Sequence, residues 1–189
     1  MDEIKAVNPK QTNPGTGRTL GIGMIAIGVL LIAAAVLLLV AHNNTGSLGP
    51  ARIGARFGNF TLTDVTGKQV QLSDYAGRPV LINAWATWCP PCQAEMPDLN
   101  TYFKAHSSQG FMVLAINAGE TSAQASAFAK QLGLTFPILL DPTENLMDTL
   151  HIADFPTSIL VGRDGVVKAI HVGRLTPATL ETEISPYLN

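Results

Sequence analysis

Cys89 and Cys92 are the only cysteines in 189 residues, and they stand three apart in the run Trp85-Ala86-Thr87-Trp88-Cys89-Pro90-Pro91-Cys92-Gln93-Ala94-Glu95. Across the start of a helix, such a pair closes a short disulfide with little backbone movement, and the chemistry open to it is thiol-disulfide exchange. A helix N-terminus offers unpaired N–H groups and a partial positive charge. Both favour thiolate over thiol, so Cys89 is expected to be the exposed nucleophile. Cys92, one turn inside, is placed to resolve a mixed disulfide formed on Cys89. Pro90 and Pro91 fall where N–H groups have no intrahelical partner, and their fixed φ stiffens the bridge.

Other uses of the pair fit less well. Zinc takes about four ligands, whereas one C-x-x-C supplies two and the four histidines stand at no ligand spacing, so no metal site is expected. A purely structural bridge closing so short a loop would add little stability under the loop-entropy model.

The elements that must hold the cysteines can be read around them. Val80 to Ala84 is a buried strand feeding the loop, and Pro91 to about His106 is a helix with apolar Met96, Leu99 and Phe103 on one face and a kink expected at Pro97. Ahead of them, Phe57–Leu62 and Gln69–Leu72 read as a hairpin. After them come a strand Phe111–Asn117, a helix Thr121–Leu132, a strand Phe136–Leu140, a short helix Thr143–Leu150, strands Ser158–Val161 and Val166–Val172, and a helix Thr176–Leu188. The alternation implies βαβ units and a mainly parallel sheet. Trp85 is assigned to the core, and His106, His151 and His171 to the surface or to element ends.

The formal net charge of −2 carries no basic excess, so nucleic acid is not expected as a partner. Leu20 to Ala41 is 22 residues without a charge, about 33 Å as a helix, which matches the hydrocarbon thickness of a bilayer. Lys5, Lys10 and Arg18 precede it and the next arginine is Arg52, so the N-terminus is expected in the cytoplasm and the remainder outside. A cleaved signal peptide is the competing reading, but the apolar run is long and Leu39-Val40-Ala41 matches a cleavage site weakly. The expected organisation is a cytoplasmic tail over 1–19, a transmembrane helix over 20–41, a flexible linker over 42–52 and one domain over 53–189.

Ala84-Trp85-Ala86-Thr87-Trp88-Cys89-Pro90-Pro91-Cys92, about sixty residues ahead of Phe155-Pro156-Thr157, resembles the thioredoxin superfamily, and more closely its membrane-anchored TlpA/ResA-type thiol-disulfide oxidoreductases. The resemblance runs from Ile53 to the C-terminus. It implies an α/β thioredoxin-like fold: a central mixed sheet flanked by helices, an N-terminal hairpin, and the insertion typical of this branch at Thr121–Leu140. It also implies that Pro156 is a cis-proline facing the disulfide, with Phe155, Trp88, Pro90 and Pro91 forming the surface on which a substrate docks.

Glu95 matches an acid that ResA-type members carry three places after the second cysteine, where it would exchange a proton with Cys92. The plainer expectation is an acid in water that complements the helix dipole. Asn83 stands where thioredoxin has a buried acid, so that protein's proton relay does not carry over. The resemblance further implies no cofactor beyond the redox-active disulfide, reduction of protein disulfides such as apocytochrome c cysteines, and electrons from a membrane thiol carrier. A redoxin-type peroxidase and a metallochaperone of thioredoxin fold are the alternatives.

Overall fold

The structure, a computed structural model, describes residues 27–36 and 48–188. The chain falls into two units, 1–43 and 44–189. In the first, residues 27–36 are helical, while the expected tail and the rest of the expected span lie outside the described residues. Among the described residues no helix is long and apolar enough to cross a membrane. Of the expected linker only its end is described, and there Leu48 and Ala51 pack against the core of the second unit.

That unit is built on a seven-stranded sheet. In chain order come β1 (Thr61–Asp64), β2 (Gln69–Gln71), β3 (Val80–Trp85), α1 (Pro90–His106), β4 (Met112–Ala118), α2 (Ser122–Gln131), β5 (Ile138–Asp141), α3 (Asn145–Leu150), β6 (Thr157–Val161) and β7 (Val167–Val172). A helical tail follows, α4 (Pro177–Thr179) running into a π-helical turn Leu180–Ile184 and a 3-10 turn Ser185–Tyr187. The expected single helix over Thr176–Leu188 is therefore irregular. Pro186 has no N–H to extend the ladder, and the Thr182 hydroxyl donates back to Ala178 O at 3.0 Å.

The strand order is β2-β1-β5-β4-β3-β6-β7. Only β3–β4 and β4–β5 are parallel. The other four pairings are antiparallel, which corrects the expectation of a mainly parallel sheet. The reason lies at the edges, where the hairpin docks antiparallel on β5 and β6–β7 returns as a second hairpin.

The first hairpin strand also starts later than Phe57. Phe57 and Phe60, three apart, stack edge to face at 6.4 Å, and the segment before them bonds to the β7 side instead, through Gly54 N to Val167 O and Phe57 N to Gly165 O.

All six residues of β3 are buried. Leu81 and Trp85 join the core that includes Met96 and Leu99 of α1, whereas Val80, Ile82 and Ala84 join the opposite core with Leu146, Met147 and Leu150 of α3. Strand alternation then places Asn83, between Leu81 and Trp85, on the α1 face. The same reasoning puts Asn117 of β4 and Ser158 of β6 on that face, since Val113 and Ala115, and Leu160, belong to the α1-side core. α1 runs as one element through Pro97, and Asn100 ties it to the turn after α2 by donating to Gly133 O (3.0 Å) and accepting from Thr135 N (2.9 Å).

A cleft of about 330 Å³ opens between the start of β3 and the β6–β7 turn. It lies about 17 Å along the strands from the loop that carries the cysteines. Its three arginines donate to backbone carbonyls: Arg56 to Asp164, Arg78 to Gly110, and Arg163 to Gly77, Gln109 and Leu188.

Candidate active site

β3 ends at Trp85, and the loop Ala86-Thr87-Trp88 carries the chain to Cys89, the N-cap of α1, whose backbone is extended (φ −90°, ψ 106°). The N–H of Cys92 donates to Cys89 Sγ at 3.3 Å. Gln93 N donates to Cys89 O at 3.0 Å, so the first turn closes around the cysteine. Pro90 and Pro91 take the first two helical positions and are exposed.

Cys89 and Cys92 are joined by a disulfide, Cα to Cα 5.2 Å. The expectation of an exposed Cys89 needs correction, because it is 3% exposed, against 0% for Cys92. Its bond to the buried Cys92 draws the sulfur into the core cluster that Phe155 packs against.

The loop is clamped through one residue. Glu120, which follows β4, accepts from Thr87 N at 2.7 Å and from the Thr87 hydroxyl, and its carboxylate is steadied by Asn117 Nδ2 at 2.6 Å. From the helix, Gln93 Nε2 donates to Thr87 O at 2.6 Å. Every polar group of Thr87 is thus bonded two residues ahead of Cys89.

Glu120 and Thr87 were not singled out in the sequence. The available signal was an acid in the turn leaving the C-terminal end of a parallel strand, the edge where site residues gather in α/β sheets.

Trp88 is 66% exposed, and its ring meets Phe155 edge-on at 5.9 Å between centroids. It is a surface side chain, whereas Trp85 is fully buried. The Phe155–Pro156 bond is cis, as the resemblance implied. Because Ala84 pairs with Thr157 in the β3–β6 register, Pro156 lies at the level of Trp85, at the sheet end from which the cysteine loop leaves. Pro156 is buried, and its carbonyl accepts from Gly173 N at 2.8 Å. Val172, paired with Thr157 at the end of β7, is exposed.

Glu95 is not in water, and the plainer sequence expectation is corrected here. It is fully buried one turn beyond Cys92 because α1 lays that face on the sheet. Oε1 accepts from Asn83 Nδ2 at 2.7 Å and Oε2 from Leu175 N at 2.8 Å. Burial pushes its pKa up to about 7 against the pull of these two donors and of His171 and Arg174. A carboxyl poised there can hold or release a proton near neutrality. Among the described residues no cluster of three or more His, Cys, Asp or Glu side chains is placed to hold a metal ion.

The profile of the AhpC/TSA family matches residues 53–170. The chain is 34% identical over 156 residues to the thiol-disulfide oxidoreductase ResA of Geobacillus kaustophilus, covering 82% of this chain and 90% of that protein. It is also 34% identical over 167 residues to ResA of Bacillus subtilis, covering 87% and 90%.

Among solved structures, a thiol:disulfide interchange protein DsbE from Chlorobium tepidum superposes with a TM-score of 0.69 at 31% identity, covering 74% of this chain and 99% of that one. StoA from Bacillus subtilis superposes with a TM-score of 0.58 at 28% identity, covering 66% and 95%.

Two outcomes follow from the site's geometry. The folded oxidised chain keeps a proton on Glu95 that the unfolded chain releases near 4.5, so stability falls as pH rises from there to about 7. Relative to Glu95→Gln, the loss is about 3 kcal/mol; urea denaturation at pH 4.5 and pH 8 measures it, and equal slopes for the two proteins would refute the assignment. Glu120→Ala leaves the donors of Thr87 and Asn117 without their acceptor and costs about 2 kcal/mol. A double-mutant cycle with Thr87→Val should return a coupling of at least ~1 kcal/mol.

Proposed function

The chain belongs to the AhpC/TSA family and, within the thioredoxin superfamily, to the ResA-type thiol-disulfide oxidoreductases, which work through a redox-active cysteine pair without a cofactor; from this premise we propose that it reduces protein disulfides outside the cytoplasmic membrane. The observation that carries the reading is the Cys89–Cys92 disulfide at the N-cap of α1, beside an exposed aromatic edge and above a buried carboxyl.

In the reduced chain the Cys89 thiolate attacks one sulfur of a substrate disulfide. The S–S bond breaks, a mixed disulfide forms, and the departing substrate thiolate takes up a proton. Cys92 then attacks Cys89 Sγ, its proton passing to Glu95, and the second substrate sulfur leaves as a thiolate that takes up a proton from water. The substrate has gained two electrons and the enzyme is left as the disulfide. A thiol donor must return those electrons, and the membrane origin of that donor is part of the proposal.

Trp88 and Phe155 offer an apolar edge for an extended substrate segment. Pro90 and Pro91 face the same solvent. The uncharged run Leu20–Ala41 with Lys5, Lys10 and Arg18 before it supports a single-pass anchor, N-terminus inside. Apocytochrome c cysteines are the client proposed first, by analogy with the family. A redoxin-type peroxidase would set a lone peroxidatic cysteine between a Pro and a Thr with an arginine nearby, whereas here the two cysteines stand three apart and no arginine is close in sequence.

Insulin reduction by dithiothreitol tests the activity. The full chain should accelerate it, Cys89→Ser should abolish the acceleration, and Cys92→Ser should accumulate a mixed disulfide through Cys89. Acceleration that survives Cys89→Ser, or peroxide consumption that survives Cys92→Ser, would contradict the proposal.

A further inference from the structure

Asn83, Ser158 and His171 form a row across three strands, Asn83 pairing with Ser158 in β3–β6 and Ser158 with His171 in β6–β7. The α1 face of this row lies against Glu95. Asn83 Nδ2 uses both of its hydrogens there, one on Glu95 Oε1 (2.7 Å) and one on Ser158 Oγ (2.9 Å). Asn83 Oδ1, in a residue with no exposed surface, has no partner at all. A buried carbonyl oxygen left unpaired costs free energy, and no strand pairing or turn accounts for it.

The two states of Glu95 ask opposite things of this amide. As a carboxylate, Glu95 meets two donors, Asn83 Nδ2 and Leu175 N, and needs nothing else. As a carboxylic acid it carries an O–H. Leu175 N still donates to Oε2, so the proton belongs on Oε1, and there it points at the Nδ2 hydrogens with no acceptor.

Half a turn about the Asn83 side-chain amide brings Oδ1 to the same place. Oδ1 then accepts from the Glu95 O–H, and the Ser158 hydroxyl, which can donate as readily as accept, reverses its proton to donate to Oδ1 as well. The orphaned atom becomes Nδ2 in place of Oδ1, so one group stays unpaired in either state. An aspartate at this position could not serve both states, because ionised it would set a second negative charge beside Glu95.

We propose that Asn83 is a positioning residue that follows the proton on Glu95, its amide turning over as the carboxyl gains or loses that proton and Ser158 reversing with it. The proposal rests on the reading that Glu95 exchanges a proton with Cys92. It gives that exchange a hydrogen-bonded partner at both ends of the redox cycle.

The charged and titratable groups around Glu95 are few. Cys92 precedes it on α1. Across from it stand His171 on β7, bonded to Glu183 of the helical tail at 3.0 Å, and Arg174 beyond β7, paired with Asp98 at 3.0 Å. His171 and Arg174 both act on the charge of Glu95, so the readout must be Glu95's own signal.

The test is nuclear magnetic resonance of the full chain in detergent, labelled with 15N-asparagine and 13C-glutamate, titrated from pH 4 to pH 10. The Glu95 carboxyl carbon reports its proton. Nuclear Overhauser contacts from the Asn83 Nδ2 hydrogens to the Ser158 β and Glu95 γ hydrogens report the amide. The contacts should be present above the Glu95 midpoint and fade below it in step with the carbon shift. In Glu95→Gln they should not change with pH, and in Asn83→Asp the single Glu95 step should split into two more than one unit apart.

Contacts that persist unchanged while Glu95 titrates, or a Glu95 carbon that does not titrate in this range, overturn the proposal. If the amide follows Glu95 but Glu95→Gln leaves the pH profile of Cys92 resolution unchanged, Asn83 keeps its assignment and the proton-carrying role of Glu95 is what fails.

Discussion

The N–H of Cys92 points at the sulfur of Cys89, and that one contact depends on a sequence of placements made elsewhere. β3 is buried on both faces, so its register is fixed by two cores at once. Where it stops, a three-residue loop must turn the chain so that Cys89 caps α1 rather than entering it. The Thr87 clamp from Glu120 and Gln93 holds that turn from both sides. An exposed CxxC on a loose loop would have the same residues without the oriented N–H groups that favour the thiolate.

Burial of Glu95 follows from the same arrangement. Placing Cys92 one turn inside α1 turns the next residue on that face into the sheet, where Asn83 and the Leu175 N–H wait. An isolated carboxylate there would be costly, and two donors reduce the cost without removing it. The result is an acid that changes charge near neutrality, which a proton acceptor for a thiol requires and which a surface glutamate would not provide.

Much of this was legible in the sequence. The C-x-x-C after a continuous apolar run, the X-Pro-Thr strand start and the capped helices each have a local signature, and the structure places strands and helices close to where those signatures put them. Three features were not legible because they depend on strand neighbours. The β-α-β alternation gives no hint that β1 docks antiparallel on β5 or that β6 runs antiparallel beside β3, so the sheet read as mainly parallel. Glu95 was singled out only through the resemblance, and its burial against Asn83, twelve residues away, has no local signature. Glu120 falls between the strand and the helix read there, and nothing in its surroundings names Thr87. Cys89 was expected in the open as the nucleophile at the helix N-terminus, and the bond to Cys92 draws it in.

The central claim is that the cap of α1 makes Cys89 the reactive sulfur. The direct measurement is the pH dependence of alkylation of the reduced chain by iodoacetamide, with each cysteine followed separately by mass spectrometry. Cys89 should react first, with an inflection below the free-thiol value of about 8.5, while Cys92 stays protected. Equal labelling of both cysteines with an inflection at or above that value, or no labelling of either, would contradict the account.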